Sequence, residues 1–363
     1  MTQSIQTNTS LVTAALKGLK GWAQPLVNSA HYDFWCREFN TTAAWQRCFA
    51  RVVDIRVEAA DSVTIALKPN SNFGDCRAGQ HINVSAEIGG RRITRCYSIS
   101  SAGCANGIVE ITVRLDKNGV MSNWFHNALQ PGDILELGEA FGGMTINPEA
   151  SKFVLLAAGS GITPMMSLIR EQQRLGFPKA ITLLFWDRGL ERFCFKQELE
   201  QLATCYSNLQ VHFLDTAGSG KRISAELVEK LCPDLAHSEV LACGGAGFVE
   251  QATAIGSAAS NIQYESFTPM VAATLDDAEQ YFMVDLLKSG RQIKVSNQET
   301  LLNALEAEGV TVTTGCRMGI CNSCACDVKQ GGTSDINSSL AQSADSAVKL
   351  CVSRATSPLQ LDL

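Results

Sequence analysis

Three thiols stand close together in the stretch GCRMGICNSC, residues 315–324. Cys316, Cys321 and Cys324 follow the pattern C-x4-C-x2-C, and Cys351 lies downstream as a fourth thiol. That spacing is the one that holds a [2Fe–2S] centre, in which two sulfide-bridged irons need four thiolates converging on a small anionic core. Gly315 and Gly319 let the loop curl and turn backbone N–H groups toward the sulfurs, which stabilises their negative charge. Other readings fit less well. Structural zinc favours paired C-x2-4-C knuckles, and only one C-x2-C is present. A Rieske centre takes two histidines, yet His31, His81, His126, His212 and His237 are all remote in sequence. A disulfide framework belongs to an oxidising compartment. Cys326, two residues past Cys324, reads as a packed neighbour on the strand leaving the loop.

A second set of residues suits phosphate and nucleotide chemistry. RCYSIS, residues 95–100, sits on a strand-like run, and the Arg95 guanidinium can pair with a phosphate. KNGVMSNWFHNALQPGD places Gly119, Val120, Met121 and Ser122 at the start of a helix whose N-terminus could hold a diphosphate. In AAGSGITPMM, residues 157–166, a strand enters a glycine turn and then a helix, so Gly159 and Gly161 let the backbone approach a pyrophosphate. Arg188 and Arg192 in WDRGLERF follow the next strand, where arginine suits a ribose 2′-phosphate. Lys221 and Arg222 add positive charge nearby.

The elements that must position these residues divide the chain. Its 363 residues allow two or three domains. Residues 1–45 form an extension with Trp22, Trp35 and Trp45, in which LVTAALKGLKGWAQPL predicts a short helix. Residues 46–148 carry RVVDIRVEA, SVTIALKP, HINVSAEI, RITRCYSIS and GIVEITVRL, short strands that predict an antiparallel barrel. Residues 151–268 switch to FVLLAAG, ITLLFWD, VHFLDT and EVLACGG with helical segments between them, the βαβ texture of a parallel sheet. Residues 269–278 read as a linker, and 279–363 as a final domain. That domain opens with a hairpin turning at Lys288–Gly290. A helix follows, with a capping box from Ser296 to Glu299 and Gly309 past its end. The fold class is therefore multidomain, α+β and α/β.

The formal charge of −6 and the absence of a basic run argue against nucleic acid. No segment has the length and apolarity of a membrane span, and MTQSIQTNTS lacks the features of a signal peptide. A cytoplasmic location is expected. In that setting the scattered Cys36, Cys48, Cys76, Cys104, Cys194, Cys205 and Cys232 are expected as small buried hydrophobes.

These motifs together resemble the ferredoxin–NADP reductase superfamily, with R-x-Y-S in RCYSIS and G-x-G-x-T-P in the 159–164 loop. The resemblance implies FAD, with Arg95, Cys96, Tyr97 and Ser98 around it, Tyr97 against the isoalloxazine and Ser98 near N5. It implies diphosphate contacts at Gly119–Ser122 and a nicotinamide-cofactor loop at Gly159, Gly161, Thr163 and Pro164. Cys243 and Gly244 match the family's C-G-P-x-x motif, which sets a cysteine beside the nicotinamide; Gly245 stands where proline is usual. Glu265 is implied as a proton relay or polar contact and Phe267 as packing on the flavin. Residues 279–363 resemble the ferredoxin β-grasp domain, which makes Cys316, Cys321, Cys324 and Cys351 the ligands.

Nicotinamide gives up two electrons as hydride and an iron–sulfur centre takes one at a time. A flavin serves both, so the domain order implies a current from NADPH, or NADH, through FAD and [2Fe–2S] to an external acceptor. The DFW…W…RV stretch, GQHINVSAEIGGRRITRCYSIS and GCRMGIC resemble bacterial electron-transfer partners of acyl-CoA desaturases, making a membrane desaturase the leading acceptor. A soluble oxygenase or hydroxylase component is the alternative, and a redox sensor without turnover a third.

Overall fold

The computed structural model describes residues 29–142, 144–218, 220, 222–268, 278–319, 321–336, 341–342 and 346–363. Trp22, the helix expected within 11–26, Lys221 and most of the 269–278 linker lie outside them.

The first domain is an antiparallel sheet of β1 (Cys48–Ala59), β2 (Ser62–Pro69), β3 (His81–Ile88), β4 (Arg91–Ser98), β5 (Val109–Arg114) and β6 (Ile134–Phe141). The order is β4-β3-β6-β1-β2-β5, and an Ile99–Ile111 bridge joins the two ends into a barrel. Alternation along the strands sends Val52, Ile65, Ile82, Val84, Ile111 and Leu135 inward, where they are buried. Helix α2 (Val120–Asn127) closes one end by adding Met121 and Phe125 to that core.

Helix α1 (Ser29–Glu38) precedes the barrel. Buried Asp33 accepts the backbone N–H groups of Gln46 at 3.1 Å and Arg47 at 3.0 Å, and that of Trp45. Asn70 and Asn72 tie residues 42–47 to the barrel loop. The entry segment therefore packs on the barrel, while Phe34, Trp35 and Phe39 on the α1 side stay exposed.

The second domain has the expected parallel sheet, built from β7 (Lys152–Ala158), β8 (Ala180–Asp187), β9 (Leu209–Asp215), β10 (Glu239–Gly244) and β11 (Asn261–Ser266). The order β11-β10-β7-β8-β9 puts β7 at the centre. Helices α3 (Ile162–Arg174), α4 (Lys196–Cys205), α5 (Ala225–Leu231) and α6 (Ala246–Gly256) accompany it. Two separate apolar clusters pack among the sheet and helices, as a sheet covered on both faces requires.

Buried charge fixes how these two domains meet. The Arg170 guanidinium on α3 donates to Ser100 O and Glu110 from the barrel and to Glu198 on α4. Burial disfavours an ionised Glu110, but hydrogen bonds from Arg56 and Arg170 outweigh it and hold the carboxyl below its ordinary range.

In the third domain β12 (Tyr281–Leu286) and β13 (Arg291–Ser296) form the expected hairpin. They join β14 (Ala325–Gln330), β17 (Ser346–Lys349) and β19 (Leu359–Leu361) in the order β13-β12-β19-β14-β17. Strands β15 (Thr333–Asp335), β16 (Ala341–Gln342) and β18 (Ser353–Ala355) make a second small sheet. Helix α7 (Leu301–Ala307) lays Leu301, Leu302 and Leu305 on the core. Its N-cap is Thr300, whose hydroxyl accepts from Asn303 N at 3.4 Å, and not Ser296, which ends β13 and instead accepts from Gln298 N at 3.1 Å. Gly309 stands past the helix end at φ +71°, as expected.

One expectation about the lone thiols fails. Cys76 and Cys104 are joined in a disulfide with Cα atoms 5.4 Å apart, because the loops after β2 and β4 converge. Cys205 is exposed. Among the described residues no helix is long and apolar enough to cross a membrane.

Truncating the buried cation of the domain seam, Arg170→Ala, should lower the stability of the two-domain unit by about 3–5 kcal/mol, because Glu110 and Glu198 lose their partner. Denaturant titration should show this, with Arg174→Ala, which breaks an exposed pair with Glu171, leaving the midpoint in place.

Candidate flavin, nucleotide and iron–sulfur sites

A cavity of about 300 Å³ opens where the barrel, the parallel sheet and the cysteine loop meet. Strand β4 supplies Arg95, Cys96, Tyr97 and Ser98 to its wall. The helix α2 end supplies Gly119, Met121 and Ser122, the 159–164 loop supplies Thr163, and Phe267 comes from the residue after β11. Residues from four sequence-separated stretches thus converge on one cavity. Val120 is the exception among them: it starts α2 but is exposed and absent from the wall.

Local structure explains each position. Gly119 is the N-cap of α2, and a Cβ there would stand 2.6 Å from Ser122 Oγ. Ser122 donates back to the Asp116 and Gly119 carbonyls, which fixes the turn. Tyr97 packs its ring on Phe125 at 5.7 Å, and burial pushes its phenol up.

The cavity holds polar atoms that the protein leaves unsatisfied. Ser98 Oγ is buried without a hydrogen-bond partner, as are both His81 ring nitrogens; Glu265 Oε2, likewise without one, lies beside His81 but does not line the cavity. His81 Nε2 lies 3.0 Å from Glu265 Oε2, close enough for an ion pair but off the line of a hydrogen bond. Leaving such groups unmatched is costly, so the cavity fits a ligand with a polar-edged aromatic system. His81 was not legible as a site residue. It opens β3 directly opposite Ser98, and Phe267 packs edge-on against it at 6.3 Å.

A second cavity of about 670 Å³ lies beyond the 159–164 loop. Gly159 takes φ +59°, and a Cβ there would meet Arg114 at 2.7 Å. Gly161 has no room either, since its Cβ would fall 2.0 Å from Cys243 O. Thr163 donates to Ser160 O at 2.8 Å, and buried Pro164 sits in the first turn of α3, where a missing N–H costs nothing. The loop thus runs between the cavities, and Arg114 borders both. Arg114 had been hidden at the end of a strand pattern.

Arg188, Arg192 and Arg222 all line the second cavity. Arg192 is committed to the protein, pairing with Asp61 at 2.5 Å and approaching Asp187 at 3.7 Å. Arg188 and Arg222 are exposed within the cavity wall. Trp186 Nε1, also in this wall, is buried without a partner.

Cys243 lies near the end of β10, with Ala157 of β7 on one side and Glu265 of β11 on the other. It is fully buried, and burial, reinforced by the Glu265 charge, pushes its thiol well up. Gly244 leaves no room for a Cβ, which would meet Phe248 at 2.8 Å. Gly245, the N-cap of α6, has φ −73°, a value proline would adopt, so its replacement of proline leaves the turn unchanged.

The four candidate ligands form two pairs. Hydrogen bonding from the Cys316 thiol pulls Cys321 down to about 5. The Cys351 thiol does the same for Cys324, which falls to about 7. Backbone N–H groups of Met318 and Cys321 donate to Cys316 Sγ, both at 3.3 Å. Those of Cys316 and Gly319 donate to Cys321 Sγ at 3.1 Å and Cys351 Sγ at 3.3 Å. Among the described residues no three metal-binding side chains converge as for a single ion. Two pairs of thiols, each with N–H donors, fit a centre of two irons with two thiolates apiece. Arg317 at φ +58° and Gly319 at φ +76° provide the curl. Cys326 is buried on β14 and packs in the same apolar core as Cys324 and Cys351.

An antiparallel barrel bearing a flavin cavity, a parallel sheet bearing a nucleotide cavity and a four-cysteine loop define a flavin- and iron–sulfur-dependent oxidoreductase. Sequence comparison agrees. Residues 52–145 match the oxidoreductase FAD-binding domain, 155–254 the oxidoreductase NAD-binding domain, and 284–356 the 2Fe-2S iron-sulfur cluster binding domain. An NADH oxidoreductase HCR of Escherichia coli K12 is 31% identical over 77% of this chain and 86% of its own length. An NADPH oxidoreductase of Mycobacterium tuberculosis H37Rv is 29% identical over 86% of this chain and 83% of its own. A component of the 1,2-phenylacetyl-CoA epoxidase of Escherichia coli K12 is 27% identical over 77% of this chain and 86% of its own. Among solved structures, phthalate dioxygenase reductase superposes with a TM-score of 0.58 at 24% identity, covering 87% of this chain and 97% of that one. The chain belongs to this family of modular reductases. It is an NAD(P)H oxidoreductase that uses FAD and a [2Fe–2S] centre for electron transfer.

Replacing Cys324 by serine should remove the visible absorption of the iron–sulfur centre, whereas Cys326→Ala should retain it. Gly161→Ala should weaken nucleotide binding about 10-fold or more, since the new methyl group displaces the loop. Equilibrium titration would check this, and flavin content should be preserved.

Proposed function

We propose that the chain takes hydride from NADPH at the flavin cavity and delivers single electrons to an oxygen-activating enzyme. The observation that carries this reading is the junction itself: the nucleotide loop residue Thr163, the β4 residues Tyr97 and Ser98, and the cluster-loop residue Met318 border one cavity. Bound flavin supplies a carrier that accepts an electron pair and releases it singly.

The protein residues have distinct roles. Arg95 and the N–H groups at the start of α2 bind the flavin phosphates. Tyr97 and Phe267 cover the ring system, and Ser98 hydrogen-bonds its reactive edge. Gly159 and Gly161 admit the nucleotide diphosphate. Cys243 shapes the nicotinamide position as a neutral, buried thiol, since its high pKa excludes a thiolate at neutral pH. Glu265, against His81, would serve as a polar contact or proton relay toward the bound ring.

NADPH is the proposed donor because Arg188 and Arg222 line the nucleotide cavity, and guanidinium matches a 2′-phosphate. The acceptor follows from the relative whose name is that of an epoxidase component. An oxygenase component, which consumes electrons singly, is the proposed partner. The desaturase reading is favoured by a different observation, the exposed Phe34, Trp35 and Phe39 beside α1, which suit a membrane-bound acceptor.

The purified holoprotein should reduce ferricyanide and cytochrome c with NADPH; a flavin that neither nucleotide bleaches would exclude a reductase. Arg188→Ala should lower kcat/KM for NADPH about 10- to 100-fold and leave NADH nearly unchanged, the loss of a charge-assisted phosphate contact. Gene deletion followed by acyl-chain analysis separates the acceptors: only the desaturase reading predicts lost unsaturation.

A further inference from the structure

Residues directly opposite in an antiparallel ladder share a face, and the face repeats every second residue. His81 is opposite Ser98, and Asn83 is opposite Cys96. The two pairs therefore lie on one face of the β3–β4 ladder, about 7 Å apart along the strands. His81 and Ser98 border the flavin cavity.

The second pair faces the cysteine loop. Asn83 Nδ2 donates to Ser323 Oγ at 3.0 Å, across 240 residues of sequence. A Cβ on Gly315 would stand 2.8 Å from Ser323 Oγ and 3.2 Å from Asn83 Oδ1, so the loop seats against the strand with no space for a side chain. From the same loop Met318 reaches the flavin cavity wall.

We propose that Asn83 is a positioning residue for electron transfer, seating the [2Fe–2S] loop on the face of the β3–β4 ladder that carries His81 and Ser98, through its hydrogen bond to Ser323. In the step it would serve, one electron would pass from bound, reduced flavin to the bound centre, the first oxidised by one electron and the second reduced by one. The inference rests on the proposed route through the flavin cavity and adds the residue that sets the distance.

The test uses the full chain with both cofactors, mixed rapidly with NADPH under anaerobic conditions. Asn83→Leu, Ser323→Ala and the double variant are compared with wild type. Flavin bleaching should stay within about 2-fold in all three, while cluster reduction slows about 10-fold or more in Asn83→Leu. The double variant should be no slower than Asn83→Leu, because both changes remove one bond. Independently of turnover, alkylation of Cys96 in the oxidised protein should quicken about 3-fold or more in either single variant, because the loop loosens. Unchanged cluster reduction in both single variants, or flavin lost from Asn83→Leu, overturns the proposal. If Asn83→Leu does not fold, Ser323→Ala decides alone. Wild-type flavin that NADPH does not bleach sinks the underlying route instead, before Asn83 is tested.

Discussion

The register of β3 against β4 is the constraint on which the rest of the molecule depends. It sets His81 opposite Ser98 and Asn83 opposite Cys96, on one face of the ladder. A slip of one residue would turn that whole face into the barrel core. It is held by Ile82 and Val84, fully buried on the other face, and by a Ser85–Thr94 hydroxyl bond of 2.7 Å further along. The residues that fill the barrel thus also fix that His81 and Ser98 border the flavin cavity and that Asn83 meets the cysteine loop.

Charge sets the angle between the barrel and the parallel sheet. Arg170 and Arg114 are largely buried cations, and each is matched by carboxylates from both domains. An unpaired buried charge is expensive, so the matched arrangement is favoured over neighbouring orientations. Arg114 carries this constraint into the chemistry, because it pairs with Asp61 and Asp187 and also borders both cavities. The same principle sorts the nucleotide-cavity arginines. Arg192 is half-buried and taken up by Asp61, whereas Arg188 and Arg222 are exposed in the wall of the second cavity.

What the sequence made legible was local. The C-x4-C-x2-C loop, the R-x-Y-S strand and the G-x-G-x-T-P turn each act through residues a few positions apart, so their spacing carries their geometry. The strands and the parallel sheet followed from periodicity for the same reason. His81 and Arg114 were not legible, since a histidine or arginine on a strand gains meaning only from what lies across the fold. The Asn83–Ser323 bond spans 240 residues and the Cys76–Cys104 bond 28, distances at which sequence offers no register. The N-cap at Thr300 was missed for a different reason: Ser296 offered an equally good capping pattern, and the hairpin extended far enough to claim it.

The fourteen cysteines pose a selection problem in which placement and ionisation both take part. Iron binds thiolate, not thiol. Burial pushes Cys48 up to about 12 and Cys194 and Cys232 up to about 11. Cys96 and Cys326 are raised by the same cause. At neutral pH these side chains stay protonated and offer iron little. Cys321 and Cys324, at about 5 and about 7, are held low by a neighbouring thiol and by backbone N–H groups. The loop therefore presents the most readily ionised of these thiols, one in each ligand pair. Cys326, though only two residues from a candidate ligand, has no thiol partner of this kind, and burial raises it. The partners of Cys321 and Cys324, Cys316 and Cys351, are raised by the hydrogen bonds they donate, so the four candidate positions are set apart by their convergence in two hydrogen-bonded pairs and not by ionisation alone.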